Sequence, residues 1–197
     1  FGFAPDAKGA ITQALSGFER EMLIEAGLLI TVEGKEPYDR FRGRLMLPIQ
    51  DRRARVIGFG ARILRKVDNA PKYLNSPDTP VFDKGRTLYN IHRASVASRQ
   101  SERLVVVEGY MDVVALAGAG IAEAVAPMGT ALTEQQIELL WRMVPVPVLC
   151  FDGDAAGQRA AMRAVERALP MLRPGHSLSI VTLPEGLDPD DLIRRDG

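Results

Sequence analysis

Carboxylates follow three apolar segments in the second half of the sequence. Glu108 ends the run VVVE, the pair Asp152 and Asp154 follows VPVLCF, and a further pair, Asp188 and Asp190, lies in LPEGLDPDDLI. Like charges held at one place raise one another's pKa unless cations neutralise them. Carboxylate oxygens without Cys or His ligands suit hard cations such as Mg²⁺ or Mn²⁺. The pattern therefore predicts a divalent-metal site.

Regular alternation of helical and β-like segments from about residue 90 places these carboxylates at one edge of a sheet. The alternation implies βαβ crossovers and a mainly parallel sheet. In open parallel sheets, ligands bind outside the carboxyl ends of the strands. We therefore expect Glu108, Asp152 and Asp154 to form the main cluster. The predicted elements are helix 90–99, strand 103–108, helix 110–118, strand 122–126, helix 133–143, strand 145–152, helix 155–168, strand 177–183 and helix 189–195.

Each acidic motif also has a purely structural interpretation. Asp154 precedes a helical segment, and Asp is a favoured N-cap residue. Asp188 is followed by Pro189 and two acidic residues, which is typical of a helix start. Asp112, in EGYMD, could satisfy the first turn of its own helix or join the metal site. Three such features in one sheet favour the metal site, with Asp188 and Asp190 holding a further ion or orienting the first.

The first hundred residues give a less regular pattern. Apolar residues recur at helical spacing over residues 10–27, and Gly17 interrupts this pattern. Gly27 is expected to end the helix. Strands are predicted for RLMLPIQD and RVIGFGARIL, joined by a charged turn. Residues 68–86 are rich in Pro and Asn, and we predict an ordered loop without regular structure there.

Composition and charge exclude several classes of protein. Net charge is zero, but residues 35–103 carry sixteen Lys and Arg against seven Asp and Glu, whereas residues 104–197 carry seven against thirteen. This asymmetry suggests one surface for phosphates and another for cations. The single cysteine excludes an internal disulfide and a Cys-built zinc site. No apolar run approaches the roughly 20 residues of a membrane span and no signal-peptide pattern opens the sequence, so we expect a cytoplasmic protein without a membrane partner.

Three motifs carry a family resemblance. EGYMD, FDGDAAG and LDPDDLI resemble, in order and spacing, the metal-binding motifs of the Toprim domain, which occurs in primases, topoisomerases and some nucleases. The longer motif EGYMDVVAL is most similar to bacterial DnaG-type primases. The first-half segments FGFAP, DRFRGRLMLPI, RVIGFGAR and PKYLNSPDTPVFDKGRTLYN resemble the polymerase domain of the same family. The resemblance covers essentially the whole sequence.

The resemblance implies an α/β fold, with a partial, basic amino-terminal subdomain over residues 1–102 and a Toprim domain over residues 103–197. It implies synthesis of short RNA primers on single-stranded DNA from NTPs during DNA replication. Two or more Mg²⁺ or Mn²⁺ ions would assist nucleotidyl transfer, with Glu108, Asp152 and Asp154 as the catalytic residues. Because the sequence starts like the middle of a longer chain, we expect the family's zinc ribbon and its helicase-interacting domain to lie outside it.

The resemblance also assigns the basic first half to nucleic acid and nucleotides. Arg62, Lys72 and Lys84 match family positions implicated in template or nucleotide binding. The three arginines of DRFRGR alternate, so on a strand they would share one face. Basic residues interleaved with aromatic ones can follow a single-stranded backbone and stack on its bases. The predicted binding set is Arg42, Arg44, Arg62, Lys72, Tyr73, Asn75 and Lys84.

Three other functions stay open from the residues. A Toprim-type metal-dependent nuclease would share the acidic site but not the basic first half, whose motifs match primases. A topoisomerase would need a nucleophilic tyrosine, and Tyr110 is part of the EGYMD motif beside the cluster. A non-catalytic nucleic-acid-binding module with a structural metal site would show ion-dependent stability without turnover.

Overall fold

A computed structural model describes residues 1–65, 70–129 and 131–196. The chain divides into two compact units. Unit 1 is formed by the described residues of 1–50 and 55–83, and unit 2 by the described residues of 51–54 and 84–197. The functional boundary predicted between residues 102 and 103 stays a prediction. No helix among the described residues is long and apolar enough to cross a membrane.

Unit 1 is built on an antiparallel sheet with the strand order β1-β4-β5-β6, and β2 and β3 form a separate hairpin. The long β4–β5 hairpin pairs Leu47 with Gly60 and Ile49 with Gly58, so large side chains face glycines across the ladder. A small core of Ala4, Phe41 and Ala61 lies against this sheet. The elements are β1 (Gly2–Ala4), α1 (Ala10–Ala14), α2 (Arg20–Glu25), β2 (Leu29–Val32), β3 (Lys35–Asp39), β4 (Arg44–Gln50), β5 (Val56–Ile63) and β6 (Tyr73–Asn75).

The sequence predictions for unit 1 were partly right. The two predicted strands are β4 and β5, and Gly27 follows α2 with a φ of 69°. A Cβ at Gly27 would lie 2.5 Å from Cδ of Pro77, so glycine is required there for space as well as for conformation. The strands β1, β2, β3 and β6 were missed, because segments of three to five residues are too short to show a clear alternation.

Two expectations for unit 1 were wrong. The Pro- and Asn-rich loop over 68–86, whose first two residues lie outside the described ranges, contains the strand β6, which pairs with β5. The arginines of DRFRGR do not share a strand face, because β3 ends at Asp39 and β4 begins only at Arg44. Asp39 is buried and accepts a hydrogen bond from the backbone nitrogen of Ile11, so β3 ends where its carboxylate serves the first turn of α1.

Unit 2 is an α/β unit around a parallel sheet with the order β10-β9-β7-β8. Val106 and Leu149 are fully buried in adjacent strands, as the continuous apolar runs predicted. The elements are α3 (Ile91–Ser101), β7 (Val105–Val106), α4 (Tyr110–Gly118), β8 (Ala124–Val125), α5 (Glu134–Trp141), β9 (Val148–Cys150), α6 (Ala155–Ala168), the 3₁₀ turn Leu169–Met171, β10 (Ser179–Val181) and α7 (Pro189–Asp196).

The predicted α/β class and the alternation of helices and strands in unit 2 are confirmed. The observed strands are two or three residues long, shorter than predicted, and the residues lost from their carboxyl ends include the acidic ones. This shortening has a physical reason. The backbone nitrogen of Asp152 donates to the Glu108 carboxylate instead of to a neighbouring strand, so the ladder ends before these residues.

Candidate active site

The parallel register brings the first two acidic motifs to the same edge of the sheet. Val106 in β7 pairs with Leu149 in β9, and Glu108 and Asp152 follow these residues by two and three positions. The Oε1 atom of Glu108 accepts a hydrogen bond of 3.1 Å from the backbone nitrogen of Asp152. The strand-ending glutamate is therefore fixed by the backbone of the second motif.

Two of the predicted site residues also cap helices, so their structural and functional interpretations coexist. Asp154 precedes α6, and its Oδ1 accepts hydrogen bonds of 2.8 Å from the backbone nitrogens of Ala156 and Gly157. Asp188 precedes α7, and its Oδ1 accepts one of 2.7 Å from the nitrogen of Asp191. Each cap uses a single carboxylate oxygen and holds its carboxylate in a fixed orientation at the sheet edge.

Asp112 is the most buried of the predicted site carboxylates. It lies in the first turn of α4, is 8% exposed, and its Oδ2 accepts a hydrogen bond of 3.0 Å from the backbone nitrogen of Gly109. Burial, together with repulsion from Asp152, Asp188 and Asp190, raises the pKa of Asp112 to about 7. The side chain of Asp112 therefore supports the turn that follows Glu108.

Asp152 stands at the centre of the acidic group. Burial raises its pKa to about 6, with further contributions from Glu108, Asp188, Asp154 and Asp191. Its Oδ1 is buried and has no hydrogen-bond partner among the described residues. A buried carboxylate oxygen without a partner is costly unless a ligand occupies the position, so this atom points to a cation.

A small cavity lies beside Asp152 and suits a hydrated ion. It measures about 110 Å³ and is lined by Asp152, Asp154, Asp188 and Asp191 together with the loop before α7. Within the part of the chain that the structure describes, no three His, Cys, Asp or Glu side chains converge as a ready-made cage. The donor set consists of carboxylates, and Mg²⁺ usually keeps several of its waters, so the residues fit such an ion.

Two glycines of FDGDAAG allow the backbone to close around Asp152. A Cβ at Gly153 would lie 2.0 Å from the carbonyl oxygen of Pro184, and a Cβ at Gly157 would lie 2.1 Å from that of Asp152. The nitrogen of Gly153 donates a 2.8 Å hydrogen bond to the oxygen of Leu187, which ties the second motif to the third. These contacts require glycine because real Cβ atoms do not approach backbone oxygens so closely.

Tyr110 does not have the properties of a nucleophile. Its side chain is buried, and its ring packs edge-on against Tyr89 with 4.7 Å between ring centroids. Burial raises the pKa of Tyr110 well above its ordinary value, so the phenolate is disfavoured. The topoisomerase alternative therefore has no support from this residue.

The predicted basic residues fall into different environments. In unit 1, Arg62 and Lys72 lie over the ring of Tyr73 at 5.9 and 5.6 Å from its centroid, and Asn75 ends the same strand, β6. Arg44 is buried and donates a 2.9 Å hydrogen bond from Nη1 to the oxygen of Pro71. Arg42 is exposed in unit 1, whereas Lys84 belongs to unit 2.

Comparison with known proteins identifies both halves of the chain. Residues 1–95 match the family model "DNA primase catalytic core, N-terminal domain", and residues 102–182 match the Toprim domain. The DNA primases of Neisseria meningitidis serogroup A and Escherichia coli K12 are 48% and 49% identical to this chain over its whole length. The aligned region covers 33% and 34% of those two proteins. This chain belongs to the DnaG-type DNA primase family.

Solved structures of DnaG-type primases agree in fold. A DNA primase domain from Pseudomonas aeruginosa superimposes with a TM-score of 0.93 at 48% identity, covering 100% of this chain and 61% of that one. A DnaG primase catalytic domain bound to single-stranded DNA gives a TM-score of 0.90 at 48% identity, with the same coverage. The chain spans about a third of the length of the curated relatives it matches.

Sequence reasoning missed one residue beside the acidic group. Arg163, on α6, lines a second cavity of about 270 Å³ together with Glu108 and Phe151. The available signal was the spacing of Arg159, Arg163 and Arg167, which are four residues apart and share one face of α6. A guanidinium that lines the same cavity as Glu108, a candidate metal ligand, suits a phosphate group at this edge of the sheet.

The metal-free protein is expected to lose stability as the pH rises from about 4 through about 7. In this window Asp112 and Asp152, with pKa values raised to about 7 and about 6, bind more protons in the native state than in the unfolded chain. The free energy of unfolding then falls with rising pH. The denaturation midpoint in EDTA should be higher at about pH 5.5 than at about pH 8, and Asp112→Asn should flatten this difference.

Proposed function

We propose that this chain is the catalytic core of a primase, which synthesises short RNA primers on single-stranded DNA from NTPs. The observation that carries the proposal is the acidic group at the carboxyl edge of the parallel sheet in unit 2. The Toprim motifs supply this group, and the first half of the same chain matches the primase catalytic core. The enzyme class is a DNA-directed RNA polymerase, a nucleotidyltransferase. The expected setting is the bacterial cytoplasm at the replication fork, where the replicative helicase would be a partner of the full-length protein.

Nucleotidyl transfer joins the primer's 3′-oxygen to the α-phosphorus of an NTP, and the bond from that phosphorus to the pyrophosphate breaks. Two or more Mg²⁺ or Mn²⁺ ions, when bound, would stabilise the attacking and the leaving oxygens. Glu108, Asp152 and Asp154 would hold the main ion, and Asp188 and Asp190 would hold a further ion. Zinc has no part in this chain's own site.

The chain's own groups prepare this site before any ligand arrives. The Asp152 backbone fixes Glu108, the α6 cap fixes Asp154, and the α7 cap fixes Asp188. Asp112 holds the turn at Gly109, which follows Glu108 directly. Carboxylates restrained in this way lose less conformational freedom when they bind a cation.

The basic residues of unit 1 would bind the template strand. Arg62 and Lys72 already lie over Tyr73, a grouping of cations and aromatic surface that suits a single-stranded backbone with stacked bases. Arg42 and Asn75 belong to the same proposed surface. Arg44 is buried on the carbonyl of Pro71, so its proposed contribution is to hold the segment that precedes Lys72.

Lys72→Ala is expected to weaken binding of single-stranded DNA and to make it less sensitive to salt. Loss of one phosphate contact should reduce the slope of log affinity against log salt by about 0.7. Fluorescence anisotropy with a labelled oligonucleotide at several salt concentrations measures this slope. Lys35→Ala, an exposed lysine of β3 outside the proposed surface, is the matched control. An equal change of slope in both variants would contradict the assignment.

The proposed activity is tested by incubating the protein and Mn²⁺ with end-labelled single-stranded DNA and labelled ribonucleotides, and by resolving both labels on one gel. Short RNA products support the primase. Shortened DNA without RNA would instead identify a nuclease. Neither product, together with an ion-dependent rise in the denaturation midpoint, would identify a binding module with a structural metal site.

A further inference from the structure

A third cavity in unit 2, of about 480 Å³, lies away from the acidic group. Trp141 and Arg142 line it at the end of α5, shortly before β9 begins. Residues 170–173 and His176 line it shortly before β10 begins. Because β9 and β10 are parallel, both start at the same edge of the sheet and both end at the other. The cavity therefore lies at the amino edge, whereas the carboxylates lie at the carboxyl edge.

A tight turn holds two polar side chains on one wall of this cavity. Arg173 and His176 are the first and last residues of the segment RPGH, and the nitrogen of His176 donates a 3.0 Å hydrogen bond to the oxygen of Arg173. Pro174 and Gly175 occupy the central positions, and Gly175 has a φ of 86°. These residues and this φ are typical of a type II turn. The turn therefore restrains the spacing of Arg173 and His176.

Trp141 joins this turn to the end of α5. Its Nε1 donates a 2.9 Å hydrogen bond to the oxygen of Ser177, and its ring stacks on the imidazole of His176 with 5.3 Å between centroids and 13° between planes. The nitrogen of Ser177 in turn donates a 3.1 Å bond to the oxygen of Pro145, in the connection between α5 and β9. The two walls of the cavity are thus bonded to each other.

The lining offers more cationic and donor groups than its own residues use. Arg173 is exposed and forms no ion pair with a described residue. The Nδ1 atom of His176 is buried and has no hydrogen-bond partner among the described residues. Arg142 lies 3.7 Å from Glu138, the carboxylate of the lining, in an exposed pair. Two guanidinium groups against one carboxylate suit an anion, and the fork of an arginine matches a phosphate group.

The rest of the lining suits a small organic molecule rather than a strand. Residues 170–172 form an apolar wall, and Leu172 is 45% exposed. Trp141 is only 9% exposed, so its ring has little open surface on which a base could stack. A separate cavity of this size is usual for a small-molecule site, whereas single strands are bound along a continuous groove with stacking platforms.

We propose that this cavity binds a small organic phosphate. Arg173 and Arg142 would contact the phosphate group, His176 would offer a further hydrogen-bonding nitrogen, and residues 170–172 would contact the organic part. A nucleoside monophosphate carries both parts and serves as the probe. The site uses none of the acidic residues, so it goes beyond the proposed function and does not depend on it.

The test is calorimetric titration of the full-length protein with adenosine 5′-monophosphate in EDTA, because a metal-free acidic group repels phosphate. The nucleotide should bind, and adenosine, which lacks the phosphate, should bind at least about tenfold more weakly. Arg173→Gln should weaken binding of the nucleotide roughly tenfold, the loss expected for one charge-assisted contact. Binding should persist in Asp152→Asn, since the acidic group takes no part.

Glu138→Gln is expected to change affinity in the opposite direction. It removes the carboxylate of the lining and frees Arg142, so the nucleotide should bind about twofold to fivefold more tightly. A gain of affinity cannot result from a damaged fold. Arg52→Gln is the control, because it removes the same charge as Arg173→Gln from an exposed residue of unit 2 outside the lining, and it should have no effect.

Three outcomes would overturn the inference. An absence of binding at nucleotide concentrations of about 10 mM would show that the cavity takes no such ligand. Equal affinities of the wild type and a folded Arg173→Gln variant would place the nucleotide elsewhere. An oligonucleotide that displaces the nucleotide at lower concentration, and depends on Arg173 to do so, would identify a strand as the ligand. Absence of primer synthesis in the wild-type protein would reject the proposed function alone.

Discussion

Asp152→Asn is expected to lower primer synthesis by at least about a thousandfold while single-stranded DNA affinity stays within about twofold. The carboxylate has a buried oxygen without a hydrogen-bond partner among the described residues, and it lines the cavity that suits the ion. An asparagine is nearly isosteric but supplies a neutral ligand. Because the repulsion centred on Asp152 also disappears, the denaturation midpoint in EDTA at about pH 8 should rise rather than fall.

Primer yield, DNA anisotropy and thermal denaturation measured on the same preparation test this prediction. Glu166→Gln is the matched control, because it neutralises an exposed carboxylate on α6, the helix that Asp154 caps. The control should leave all three quantities unchanged. Joint loss of synthesis and DNA binding in Asp152→Asn would show that the acidic group supports the nucleic-acid surface rather than the chemistry.

Gly157→Ala is expected to destabilise the protein by about 3 kcal/mol, the upper end of the usual cost of overpacking. An alanine inside a helix normally stabilises it relative to glycine by about 1 kcal/mol, so the expected sign is reversed. The reason is local, since the new Cβ would meet the carbonyl oxygen of Asp152 at 2.1 Å and its nitrogen at 2.8 Å. Relief of this clash must move α6 away from Asp152, so activity should be lost as well.

The denaturation midpoint of Gly157→Ala should fall by about 10 °C for a chain of this size. Gly118→Ala provides the opposite expectation in the same unit. Gly118 is the last residue of α4, and a Cβ there meets nothing within 4 Å, so the substitution should be neutral or stabilising. Equal destabilisation by both substitutions would show that the contact between Gly157 and Asp152 is not the cause.

The acidic edge of the sheet could be predicted because its information is local in sequence. A continuously apolar strand, a carboxylate at its end and a glycine-rich turn lie within a few residues of each other around Glu108 and Asp152. The rule that parallel strands present their carboxyl ends at one edge then supplies the long-range part. The same rule does not give distances, so sequence could not reveal that the Asp152 backbone holds Glu108.

Other features depend on partners that are distant in sequence and have no local signature. The T-x-x-Q pattern from Thr133 to Gln136 could have predicted a capping box, but not that the side-chain amide of Gln136 also donates to the carbonyl oxygens of Lys84 and Thr87. The burial of Arg44 on the carbonyl of Pro71 was unpredictable for the same reason. A three-residue strand such as β6 forms because β5 offers it a partner, not because of its own propensity.

The order in which the acidic residues occur along the chain has a consequence for synthesis on the ribosome. Glu108 follows β7, the earliest strand of its sheet, whereas Asp188 caps α7 and Asp190 lies in its first turn, the latest element of the site. At usual rates of translation, on the order of ten seconds separate the two ends of the site. Throughout that interval the nascent chain carries carboxylates that lack their companions, so a cation could join the earliest and latest parts of the acidic group only after α7 has been synthesised.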